Sequence, residues 1–183
     1  MLVGSGVAVG VDPLPSETAT RDVCVLAVAL GAENMEDPGG YGSETPAEQT
    51  AEWLADLIRQ TMEEIRTSSP AVDSLSAGIV AYRDAVDVAL RAAVQLGDAI
   101  DRLALVAVAA PEQPLDRDDL GALIEGVSAE TLVLNGQSDE TAAAWYQEHL
   151  MSTRIELVPD EASLSLSSVW GRVLSHVAPG TKR

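Results

Sequence analysis

The chain has 183 residues, 46% of them hydrophobic, which is enough to enclose one sizeable core. Lys and Arg total 11 against 29 Asp and Glu, a formal net charge of −18. That field repels phosphate backbones and anionic lipid, so neither nucleic acid nor a membrane surface is an expected partner. A single cysteine, Cys24, excludes an internal disulfide and a Cys-based zinc site. Phe is absent, so the core must be built from Ala, Val, Leu and Ile. No run of about 18 apolar residues exists to cross a membrane. The Leu2–Val11 stretch has no basic start, so no secretory signal is expected and a cytoplasmic location is the default.

In chain order, Gly6–Val11 is a short apolar stretch that can form a first strand. Val23–Leu30 is a continuous, Val-rich apolar run, the pattern of a strand buried on both faces. Gly31–Pro46 is punctuated by Pro and Gly and reads as a loop. Thr45, Pro46 and Glu48 form a helix start, with Thr45 as cap and Pro46 in the first helical position. Ala51, Leu54, Ala55, Ile58, Met62 and Ile65 then repeat at helical spacing, and the helix stops near Ser68–Pro70.

Ser74–Tyr82 ends in a β-branched run and predicts a strand. From Asp84 the spacing becomes helical through Leu96, with Gly97 as the stop. Ile100–Ala110 predicts another strand, closed by Pro111 and Pro114. Asp116–Glu125 predicts a short helix and Glu130–Asn135 a strand. Thr141–Leu150 predicts a helix, Ser152–Val158 an alternating strand at a sheet edge, and Leu164–Val177 a final helix. Residues 178–183 form a polar tail. Strand and helix thus alternate about five times, which implies one α/β domain over residues 1–183. It is a three-layer sandwich with a mostly parallel sheet and right-handed crossovers.

Four stretches carry a resemblance to a known family. They are DPGGYGSETP (Asp37–Pro46), Gly78–Pro111, LVLNGQSDETAAAWYQEHL (Leu132–Leu150) and RIELVPDEASLSL (Arg154–Leu166). In this order and spacing, Val23 to Val177 resembles an α/β-hydrolase core without a cap and without the first strands of the full family core. The family's nucleophile elbow needs small residues two before and two after its tip, because the turn is tight. In AYRDA, Ala81 and Ala85 flank Arg83, whereas centring on Asp84 would put Tyr82 and Val86 in the tight positions. The resemblance therefore aligns the nucleophile position with Arg83, the acid with Asp139 and the histidine position with Ser163. A guanidinium does not lose its proton and is no nucleophile. With no histidine between Pro159 and Ser168, Ser-His-Asp chemistry is not expected.

What the resemblance implies is a degenerate, non-catalytic member acting by binding. It would bind a small ligand in a vestigial pocket, a second copy, or another hydrolase-like subunit. Candidate ligand-binding residues are Arg83, Tyr82, Asp84, Ser43 and Tyr41. The alternatives are an esterase-like hydrolase with an unconventional site and an acidic interaction protein. No cofactor and no metal are expected.

Each of these residues also has an ordinary role. Arg83 at a helix start needs an acidic partner, for which Asp139, Asp84 and Glu161 are the candidates. Ser43, Ser76 and Ser163 read as turn or capping hydroxyls, with Ser163 a cap for the last helix. Asp37, Asp139, Asp160 and Glu161 read as solvated loop residues rather than an acid/base pair or a Mg²⁺ site. Gly39–Gly42 reads as a tight turn rather than a phosphate cradle. Cys24 reads as an inert strand residue. His149 and His176 each read as a surface residue or a C-terminal helix residue that complements the dipole, and Trp145, Tyr146 and Trp170 as packing residues. Trp145 and Tyr146 could also form an interface patch.

Overall fold

The computed structural model describes residues 2–5, 27–30, 46–68, 77–110, 120–159 and 164–179. Six strands are described: β1 (Leu2–Ser5), β2 (Ala27–Leu30), β3 (Ala77–Tyr82), β4 (Ile100–Val106), β5 (Glu130–Gly136) and β6 (Thr153–Val158). They form one sheet in the order β2-β1-β3-β4-β5-β6, and every neighbouring pair is parallel. The helices are α1 (Pro46–Ser68), α2 (Val86–Leu96), α3 (Glu140–His149) and α4 (Leu166–Val177), with a further helical turn at 120–124.

Successive side chains of a strand point to opposite faces. In the middle of β3, β4 and β5 both sets are apolar. Ile79, Ala81, Leu103, Leu105 and Val133 face a layer that includes α1, α2 and α3. Val80, Ala104, Val106, Leu132 and Leu134 face α4, through Val169, Trp170, Val173 and Leu174. This double burial makes the three-layer α/β sandwich, and it is why the central strands read as unbroken apolar runs. Only residues 107–129 separate β4 from β5, which leaves no room for a cap domain there. No helix among the described residues is long and apolar enough to cross a membrane.

Several sequence expectations shift in position. The predicted first strand, Gly6–Val11, lies outside the described residues, while Leu2–Ser5 forms β1 between β2 and β3. Cys24, Thr45 and the Gly39–Gly42 turn also lie outside them. The strand predicted to run to Ala110 ends at Val106, because Ala107 takes a φ of 54° and turns the chain out of the sheet. The last helix is capped by Ser165, whose Oγ accepts from Ser168 N at 3.3 Å, and not by Ser163. Ser165 has the extended backbone that a cap requires.

His176 does lie in the last turn of its helix, as one of its two expected settings has it, but it is not a surface residue, being 8% exposed. Its Nε2 lies 3.1 Å from Leu103 O and 2.9 Å from Glu130 O. Carbonyls only accept, so Nε2 carries the proton and donates to both. The residue fastens α4 to β4 and β5.

Leu103 is fully buried at the centre of β4. Leu103→Ala is expected to lower unfolding free energy by about 3 kcal/mol, read as a lower urea midpoint with an unchanged denaturant slope.

Candidate functional site

The carboxyl ends of β3, β4 and β5 carry the polar features of the sheet. After β3 the chain makes a 3-10 turn over Arg83–Ala85 and enters α2. Arg83 sits at the tip with a φ of 53°. That left-handed conformation is disfavoured by roughly 1–2 kcal/mol for a residue with a Cβ. Ala81 and Ala85, two residues to either side, are both fully buried. The end of β1 lies against this turn. With both alanines fully buried there is little room for larger side chains, so composition and conformation agree on a sharp strand-to-helix elbow.

The elbow turns Arg83 outward. The residue is exposed, and its Cζ lies 5.1 Å from the centroid of the Tyr82 ring, a cation–π contact. Among the described residues it forms no ion pair with Asp84 or Asp139, two of the three acidic partners expected for it. Glu161 lies outside the described residues. Tyr82 is half-buried and Asp84 exposed.

Asp139 closes a second 3-10 turn, Gln137–Asp139, which follows β5 and leads into α3. It too is exposed. Arg83 and Asp139 therefore share one end of the sheet, with β4 between their strands. Ser163, Ser43, Ser76, Tyr41, Asp37, Asp160 and Glu161 lie outside the described residues. No cluster of metal-ligating side chains occurs among those described.

Sequence reasoning missed the residue that joins these turns. Asn135 is fully buried at the end of β5. Its Oδ1 accepts from Val108 N at 2.7 Å, and its Nδ2 donates to Val108 O at 3.0 Å and to Asp139 O at 3.3 Å. One amide thus braces the turns after both β4 and β5. Tyr146 of α3 adds a third hold, its hydroxyl donating to Ala109 O at 3.2 Å. Burial, and secondarily the Asp87 carboxylate, push that hydroxyl well above the ordinary tyrosine pKa. The available signal was the lone amide ending an apolar strand, ETLVLN. The left-handed Ala107 gave none.

Both histidines lie toward the other end of the sheet. His149 ends α3, just before β6 begins. It stacks on Trp145 at 4.3 Å, and its Nδ1 lies 2.8 Å from Trp145 O. His176 reaches carbonyls of β4 and β5, as described above. An open depression of about 570 Å³, lined by Asp98, Asp101, Arg102, Glu130 and Ser152 among others, also lies at this amino end, away from the elbow.

No protein-family model matches the sequence, and no curated protein matches it. Among solved structures, a hydrolase from Oleispira antarctica is similar, with a TM-score of 0.53 and 10% sequence identity. The match covers 95% of this chain and 87% of that one. At this identity the likeness is one of fold, and the fold is hydrolase-like.

Two outcomes are expected. Asn135→Ala leaves the buried Val108 groups without partners and should lower stability by about 2–4 kcal/mol in urea unfolding. The neutral Tyr146 hydroxyl contributes stability that is fully present below the ordinary tyrosine pKa of about 10 and is lost as pH rises toward the higher folded value. Thermal melts of wild type should therefore fall more steeply above that pH than those of Tyr146→Phe.

Proposed function

We propose that this chain is a non-catalytic protein on a hydrolase-like fold, and that it binds a small anionic molecule, a carboxylate or phosphate, at the elbow. The observation that carries this reading is Arg83. A permanently charged, exposed guanidinium stands at the tip of a strained turn, where a nucleophile would stand in a hydrolase of this fold. Strain of this kind persists where the surroundings over-determine it, and it tends to mark sites of use.

The chemistry is consistent with binding rather than turnover. Guanidinium presents a planar fork of donors suited to carboxylate and phosphate oxygens. The N-terminus of α2 lies directly behind it and adds its dipole. Tyr82 orients the side chain from below the fork. Against a net charge of −18, a local cation is what would let an anion approach at all. Neither histidine is placed to act as a general base beside the elbow, since both are engaged toward the amino end of the sheet.

The test is an ester-hydrolysis assay across acyl chain lengths, run on wild type and Arg83→Ser, with a fluorophosphonate probe in parallel. Neither protein should turn over ester above background, and neither should label. Calorimetric titration with acetate and phosphate should give binding that weakens about tenfold or more in Arg83→Gln, as expected for loss of a charge-assisted contact. Wild-type turnover that survives repurification would replace this reading with that of an active hydrolase.

A further inference from the structure

Among the described residues β6 is the last strand of the sheet, and the way its backbone faces can be read from one hydrogen bond. Thr131 N donates to Ser152 O at 2.8 Å, and Thr131 is in register with Thr153. In a parallel ladder the partner of a bonded residue turns its own backbone away, while the residues flanking that partner turn theirs inward. Ser152, Arg154 and Glu156 therefore face β5. Thr153, Ile155 and Leu157 present their N–H and C=O groups outward, where no strand among the described residues pairs with them.

The side chains alternate in the same way. Ile155 and Leu157 lie on the α3 side, half-buried against the larger core cluster. Arg154 and Glu156 lie on the opposite face, where Arg154 pairs with Glu156 and Arg172 of α4 lies 3.6 Å from Glu156. The Arg154 side chain is 70% exposed.

We infer that this edge is a self-complementary docking surface for a second copy of the chain, joined antiparallel about a two-fold axis at Ile155. Three antiparallel registers centred within the strand bring outward-facing residues opposite one another. A register centred on Arg154 sets Arg154 against itself, and one centred on Glu156 sets Glu156 against itself. Both place like charges directly across, which is destabilising. The register centred on Ile155 sets Arg154 opposite Glu156 of the second copy, and does so twice by symmetry.

That register also lets Thr153, Ile155 and Leu157 make both of their outward backbone bonds. It puts the charged residues at the non-hydrogen-bonded positions, where facing side chains come closest. Its limits are marked as well. Pro159 would be the next outward residue and has no N–H to give, so pairing stops there. The residue it would face is Met151 of the second copy, one of two large hydrophobic side chains strongly exposed among the described residues, at 83%. The arrangement is isologous and closed, since each edge is consumed by its twin. It stands independently of any role for Arg83.

The experiment is sedimentation velocity with light scattering on the full chain at micromolar concentration. Wild type should be a dimer. Ile155→Pro removes an outward N–H without touching the β5–β6 ladder, so it should give a folded monomer, with circular dichroism unchanged. Arg154→Glu and Glu156→Arg should each weaken self-association about tenfold by making both symmetric contacts repulsive. Mixing those two variants should restore a dimer, because each charge then faces its opposite. A monomeric wild type would overturn the proposal. So would a dimer indifferent to Ile155→Pro, or charge variants that fail to recover on mixing.

Discussion

A sheet covered on both faces has no room for polar side chains along its central strands. In this chain the middles of the central strands, Ile79–Ala81, Leu103–Val106 and Leu132–Leu134, obey that constraint, and most of the rest of the structure follows from it. Hydrophobic burial on two sides holds the layers together, and chemistry is left to the strand ends. Parallel strands all finish on the same side, so the turns after β3, β4 and β5 gather at one edge. The elbow, the left-handed Ala107 and the Asp139 turn are consequences of that gathering.

The few polar groups that do enter the core work as fasteners. Asn135 bonds two turns at the carboxyl end, and His176 bonds a helix to two strands at the amino end. Each satisfies backbone groups that would otherwise be buried without partners, and each is correspondingly hard to replace. The two ends of the sheet are thus secured by different chemistry. An amide, able to donate and accept, serves where a turn needs both. An imidazole N–H serves where two carbonyls converge.

Much of the layer plan was legible in the sequence, because double burial writes itself as continuous Val, Leu and Ala. The α1 span, the strand cores and the stop at Gly97, with its φ of 50°, follow from local rules. The small residues around Arg83 were legible too, since steric demand at a tight turn selects alanine on both sides. What local patterns missed depends on contacts distant in sequence. His176 sits seven residues after Val169 and three after Val173, so helical spacing already put it on the apolar face. Its identity suggested surface, and burial prevailed because two carbonyls were there to receive its proton. The end of β4 at Val106 rather than Ala110 was invisible, because it depends on the left-handed Ala107 and on Asn135 of the neighbouring strand β5, which holds Val108 by both its backbone groups. The Tyr82 ring beside Arg83 was not legible either, because pairwise charge logic looks only for an acid next to a guanidinium.

The elbow separates shape from chemistry. Its curvature is set by Ala81, Ala85 and the packing of β1 beside them, while the residue at the tip points outward and supports nothing behind it. A single residue exchange at that tip can therefore alter what the protein offers its surroundings without asking the scaffold to adapt.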